Sequence, residues 1–268
     1  MAIDRRTIEA VRTVGGETGM APEVLLAVAL VETRAVPLVR IGRREEPLIR
    51  FEGHYFDRQL PERLRPQARA EGLSHPRAGR IASPAAQPDR WALFQRAVRI
   101  DAEAACASVS WGLCQVMGAH AAALGFRTAE ALASTARSSI LGQVTIGARF
   151  LALGRLADRL MDGDFPGFAR RYNGPGYRRN RYDEKIAAAL ERARSALHAS
   201  GAGDILQVGA RGPAVLHLQT ALRNAGASIA VDGIFGPRTR TALETFQRAA
   251  GMAATGFAGA ETRSRLGI

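Results

Sequence analysis

The sequence predicts a mainly α-helical chain of two domains, a larger one over residues 1–199 and a small one over 204–268, joined by a linker at 200–203. Three observations predict it. Apolar residues recur at helical spacing through most of the chain. The run Ser200-Gly201-Ala202-Gly203 has linker composition. Beyond it, a unit repeats: a Gly-x-x-Gly turn leading into a Thr-bearing helix start, once at Gly233 and Gly236 with Thr239 and again at Gly256 and Gly259 with Thr262.

Composition narrows the classes. With 268 residues and 47% hydrophobic side chains, the chain can bury a sizeable core. Its 37 Lys+Arg against 25 Asp+Glu leave a net charge of +12, and Lys185 is the single lysine. Such a surplus favours anionic partners. A nucleic-acid partner is not expected, because the arginines are scattered and aromatics make up only 6%. The N-terminus lacks the apolar run of a signal peptide and no window approaches a transmembrane span, so cytoplasmic accumulation as a monomer is expected. Cys106 and Cys114 read as buried thiols. The histidines His54, His75, His120, His198 and His217 are too dispersed for zinc-ligand spacing, so neither metal nor cofactor is expected.

In chain order, Asp4 can cap a first helix carrying Ile8, Val11 and Val14, with Gly15-Gly16 as its end. The next helix, PEVLLAVALVETR at 22–34, starts on Pro22 and stops before Pro37. Val24, Leu25, Val28 and Val31 form an inward stripe that Glu32 shares. A carboxyl held against apolar neighbours has its ionised form disfavoured and can donate a proton near neutral pH, which makes Glu32 the candidate general acid. An ordinary solvated or Arg34-paired Glu is the competing reading. Residues 38–42 read as a turn or short extended piece. The segment 47–56, PLIRFEGHYF, alternates up to Glu52, so Glu52 and His54 could project from one side of an extended segment, with a surface hairpin as the competing reading. Residues 57–90, rich in Arg, Pro and Gly, read as a long irregular excursion beside a cleft.

Residues 91–105 read as helix. The block ASVSWGLCQVMG at 107–118 follows, with Gly112 allowing a close backbone approach and Gln115 needing partners among apolar neighbours. Helices are expected at 119–124, 128–133 and 139–159. FARRYNGPGYRRNRY at 168–182 ends a helix at Tyr172-Asn173-Gly174 and turns at Pro175-Gly176, presenting aromatic and amide groups suited to a sugar. A closing helix spans 183–199. In the small domain Val215, Leu218, Leu222, Leu243, Phe246 and Leu266 would meet in a three-helix core, too small and too poor in titratable groups for catalysis.

The run 206–266, with its LQ, DG-x-FG-x-x-T, FQ and G-x-x-G-x-x-T pattern, resembles the peptidoglycan-binding domain of cell-wall hydrolases. The resemblance implies a wall anchor whose signature residues are Asp232, Gly233, Phe235, Gly236 and Thr239. ALVET with Glu32, SWGLCQVMG and RYNGPGY resemble the three blocks of lysozyme-like glycosidases; together with PLIRFEGHYF they resemble the phage-type N-acetylmuramidase domain over 3–198. What this implies is a lysozyme-like helical catalytic domain cleaving the β-1,4 bond between N-acetylmuramic acid and N-acetylglucosamine, as an endolysin does. Gln115 and Tyr172 would bind sugar or hold Glu32, with Ser110, Asn173 and His54 lining the cleft. Glu52 is the first choice for a second carboxylate, with Glu45 and Glu46 behind it. The alternatives are a lytic transglycosylase leaving 1,6-anhydro ends and a wall-binding protein without catalysis. The expected partners are bacterial peptidoglycan and anionic envelope components.

Overall fold

The computed structural model describes residues 3–199 and 206–268, so the linker 200–203 lies outside the described residues. The chain divides into two compact units, 1–193 and 194–268. The division falls inside the helix expected to close the larger domain.

The first unit is mainly helical with five short strands. Helix α1 (Arg5–Thr18) starts at Asp4, whose carboxylate accepts from the Arg6 amide at 2.8 Å. It runs through Gly15-Gly16, where an end was expected. A Cβ on Gly15 would lie 2.8 Å from the Met20 carbonyl and from Pro22 Cγ, so this glycine serves the tight corner into the next helix and stops nothing. Helix α2 (Pro22–Thr33) is buried on every side from Val24 to Leu30, wider than the expected stripe, which marks it as the central helix of the unit. It ends because Arg34 and Ala35 turn left-handed (φ 56° each), their amides returning to Leu30 O and Ala29 O, before Pro37 is reached.

Strands β1 (Val39–Ile41) and β2 (Arg44–Glu46) form a hairpin, and β3 (Ile49–Phe51) opens a second antiparallel sheet. The extended segment expected up to Phe56 stops at Phe51: helix α3 (Gly53–Gln59) begins there, with the Glu52 carbonyl accepting from the Tyr55 and Phe56 amides. Helical winding lets Phe56 bury fully, edge-on to Phe51 with centroids 5.4 Å apart. Within the expected excursion only 60–61 and 71–86 are without helix. Helix α4 (Arg65–Ala70) is tied back by Arg69, whose guanidinium makes two bonds to the buried Asp57 carboxylate, 2.7 and 2.8 Å.

The single helix expected at 91–105 is two, α5 (Gln87–Val98) and α6 (Ala102–Ala107), because the Asp101 side chain caps a new start at the Ala104 amide. Strand β4 (Val109–Trp111) pairs with β3 and with β5 (Val116–Met117), aligning Arg50, Ser110 and Met117 in one row across the sheet. Helix α7 (Ala129–Ser138) leads to α8 (Ile140–Ala152), which packs on α1 and α7. Left-handed Gly154 and Arg155 then break the chain before α9 (Leu156–Met161). Among the described residues, Ile140–Met161 is long and apolar enough to cross a membrane by length and composition, contrary to the sequence expectation. The break at Gly154 divides it, and Ile146, Leu151, Leu156 and Leu160 are buried in the unit. Helices α10 (Phe165–Tyr172) and α11 (Tyr182–Ala199) follow.

The second unit holds α12 (Pro213–Asn224), α13 (Pro237–Ala249) and α14 (Ala260–Leu266) around Leu206, Val215, Leu218, Leu222, Phe235, Leu243 and Ala258, with Phe246 and Leu266 at its edge. The repeat has a shared device. Buried Gln219 reaches Asp232 Oδ1 (2.8 Å), Ile234 O (3.0 Å) and Thr239 Oγ1 (3.2 Å), while its Oε1 accepts from the Asp232 and Gly233 amides. Buried Gln247 does the same with Thr255, Phe257 O, Thr262 and the Gly256 amide.

Candidate active site

Glu32 sits in the last turn of α2, half-buried, with the fully apolar body of the helix behind it. The Tyr182 hydroxyl, at the first residue of α11, donates to Glu32 Oε1 at 2.5 Å. Burial pushes the Glu32 carboxyl above the ordinary 4.5; the Tyr182 bond and the positive charge of Arg50 oppose this without cancelling it. Burial also holds the phenols of Tyr172 and Tyr182 well above their usual range, and the charge of Glu32 adds to that, so both hydroxyls remain donors. The neighbouring Cys114 thiol is pushed up to about 12, by burial and then by Glu32, and stays protonated.

An aromatic stack forms one wall. Phe168 lies on Tyr172 (5.1 Å, 21°), and Tyr172 on Tyr182 (6.1 Å, 24°). The Tyr172 hydroxyl donates to Cys114 O at 2.6 Å, tying α10 to the turn between β4 and β5. Tyr172 therefore supports the wall through Cys114 and holds Glu32 by no direct bond.

The β3–β5 sheet brings the other groups. Arg50 makes an ion pair with Glu52 (2.9 Å), and its charge also reaches Glu32, so it connects the two carboxylates electrostatically. His54 Nδ1 lies 3.5 Å from the second oxygen of Glu52. Glu52 and His54 thus meet across the start of a helix, where the sequence had them on one side of a strand. Glu46 is buried and bound by Arg137 through two bonds (2.6 and 2.8 Å), and Glu45 is exposed near Arg6. Both are thus engaged by arginines away from Glu32 in the chain. Ser110 donates to Met117 Sδ at 3.1 Å in the same row as Arg50.

Gln115 adopts a left-handed backbone (φ 46°) and gives its amide protons to Gly112 O (2.9 Å) and Leu48 O (3.2 Å). Its first task is to close its own turn. Asn173, exposed at the end of α10, faces Asn180 at 3.5 Å. Gly112 does permit a close approach: a Cβ there would stand 2.7 Å from Gln143 Oε1.

Sequence reasoning missed Tyr182, Arg50 and Gln143. Tyr182 and Arg50 lie inside stretches already singled out, but nothing in their spacing distinguishes them from neighbouring tyrosines and arginines. Gln143 is fully inside α8, accepting from the Leu113 amide (3.0 Å) and donating to Pro37 O (3.1 Å), so it pins both loops that frame Glu32. Among the described residues no group of three or more His, Cys, Asp or Glu side chains is placed to hold a metal ion.

In the second unit Phe235 and Thr239 are buried, Asp232 is engaged by Gln219, Gly233 is left-handed (φ 71°) and Gly236 caps α13. These signature residues build the module's interior and turns.

Residues 21–194 match the family described as N-acetylmuramidase, and residues 211–266 the family described as peptidoglycan binding domain. The chain is similar to the zinc D-Ala-D-Ala carboxypeptidase of Streptomyces albus G, 42% identical over 64 residues, or 23% of this chain and 25% of that protein. It spans only about a quarter of that relative's length. Among solved structures it is similar to the Burkholderia AP3 phage endolysin, with a TM-score of 0.60 and 26% identity over 72% of this chain and 73% of that one.

Proposed function

The chain belongs to the N-acetylmuramidase family, and from that premise we propose that this peptidoglycan hydrolase cleaves the β-1,4 bond between N-acetylmuramic acid and N-acetylglucosamine with Glu32 as general acid. The observation that carries the reading is the raised Glu32 carboxyl, half-buried at the end of α2 and held by a tyrosine hydroxyl. A carboxyl raised above its ordinary range keeps its proton to higher pH and can deliver it to the glycosidic oxygen as the oxocarbenium-like transition state develops. The Tyr182 bond fixes one oxygen and leaves the other to carry the proton to substrate.

Glu52 is the partner carboxylate in this reading, with Arg50 paired to it at 2.9 Å and reaching Glu32 by its charge. A second reading has its own support. Both Glu52 oxygens already have basic neighbours, Arg50 at 2.9 Å on one and His54 Nδ1 at 3.5 Å on the other, which leaves Glu52 poorly placed to activate water. The acetamido group of the substrate would then assist departure, and the product would be a 1,6-anhydro sugar. The module of the second unit would keep the enzyme on the wall, with anionic envelope components as further partners of the basic surface.

Mass spectrometry of muropeptides released from purified peptidoglycan tests all of this. Native chain should release reducing muramic acid ends, and Glu32→Gln should lower turnover by about two orders of magnitude or more while remaining folded. Anhydro ends would establish the transglycosylase. Unchanged release by Glu32→Gln would remove Glu32 from the mechanism.

A further inference from the structure

The wall-binding module has a surface feature that its signature residues do not explain. Phe235 and Thr239 are buried in its interior and the exposed Asp232 carboxylate is taken up by Gln219 and the Ile234 amide, so their side chains leave little to offer a ligand. A groove of about 620 Å³ runs between the C-terminal end of α12 with the turn that follows it and the outer face of α13. Its size is that of a ligand site. Leu222, Ala227, Ile229, Ala242 and Phe246 give it an apolar floor, while Arg238, Thr241 and Thr245 stand exposed along it.

We propose that this groove holds peptidoglycan by its alanine-containing stem peptide, with a peptide carboxylate on Arg238. The inference rests on the reading of the second unit as a wall-binding module. The lining itself selects between the two halves of the polymer. A glycan is bound through flat aromatic faces and through planar amides or carboxylates that match its hydroxyls. This groove contains no Trp, Tyr, Asn, Gln, Asp or Glu, and its one ring, Phe246, is partly covered by the core. Thr241 and Thr245 donate their protons to Pro237 O (3.1 Å) and Thr241 O (2.9 Å); Thr245 Oγ1 also accepts from Arg248 at 3.5 Å, and the Thr241 oxygen is left to accept a peptide N–H. Small apolar contacts suit alanine methyls. Arg238 is the one charged side chain in the lining, exposed and without a bonded partner among the described residues, and a free carboxylate is its complement.

The test uses the full chain carrying Glu32→Gln, sedimented in the cold with purified sacculi, with sacculi stripped of stem peptides by an amidase, and with intact sacculi plus the released peptides as competitor. Retention on intact sacculi, reduced about tenfold by stripping and by competitor, supports the proposal. Arg238→Gln should weaken retention about tenfold, the worth of one charge-assisted hydrogen bond. Thr241→Trp should fill the groove and abolish the module's share of binding. Thr220→Trp, exposed on α12 outside the groove, should leave it unchanged. Unaltered thermal melts certify that each variant is folded. Equal retention on stripped and intact sacculi would overturn the stem-peptide assignment while leaving wall binding intact. Retention indifferent to both Arg238→Gln and Thr241→Trp would overturn the location. Failure to sediment with intact sacculi would overturn the wall-binding reading beneath it.

Discussion

At Glu32 one residue is under two opposed influences, burial that raises its carboxyl above the ordinary range and a Tyr182 hydrogen bond that lowers it. The sign of its shift has a consequence for stability. Its folded pKa is raised above the ordinary 4.5, so the folded state binds the proton more tightly than the unfolded chain. That contribution is fully present below 4.5 and is lost as pH climbs through the raised value. Glu32→Gln has no charge to desolvate. Its melting temperature at pH 8 should equal or exceed that of the native chain, and the advantage should shrink towards pH 4. Tyr182→Phe separates aiming from titration. Removing the donor withdraws a stabiliser of the carboxylate, so the pKa rises further and the alkaline limb of the kcat profile should move to higher pH, while kcat falls about tenfold at its optimum from lost orientation. A fall in kcat with an unmoved limb would reduce Tyr182 to packing.

At the scale of elements, the site depends on how α2, α8 and the turn between β4 and β5 are locked together. Gln143 does much of this from α8 through Leu113 and Pro37, and Thr33 adds a bond to Leu113 O at 3.1 Å. Gln143→Ala would leave a buried amide and a carbonyl without partners. Chemical denaturation should register a loss of about 2–4 kcal/mol, with turnover falling alongside it. The module uses the same device twice. Gln219→Ala or Gln247→Ala should each unfold it at moderate temperature, because about 65 residues hold little stability in reserve, and wall retention should disappear with the fold. Helix starts were legible where the cap is local, as at Asp4 and Pro22. The end expected at Gly15 and the strand expected to run on through 52–56 were not, because the chain there follows what packs around it: a corner against Pro22 in one case, and burial of Phe56 on Phe51 in the other.

For the molecule as a whole, the charge is unevenly shared: residues 204–268 contribute +3 of the net +12, so most of the excess lies on the catalytic part. Electrostatic attraction to an anionic wall should therefore survive removal of the module. A chain ending at 199 should retain cleavage of short soluble oligosaccharides and lose about one to two orders of magnitude on sacculi, the worth of a second attachment point. Lysis by both forms should fall as salt is added. No salt effect in either would remove charge from the account.

The sequence by itself determined the helical class, the two-part organisation, the family resemblance of each part and the choice of Glu32, since periodicity, caps and short motifs are set by residues near one another in the chain. The tertiary structure alone decided which groups answer Glu32. Tyr182 lies 150 positions away from it and Gln143 106 away from Pro37, and only packing brings them within bonding distance. It also decided that the signature residues Phe235 and Thr239 are buried while Asp232 stays exposed and bonded to Gln219, because burial is a property of the assembled core and cannot be read from a motif's spacing.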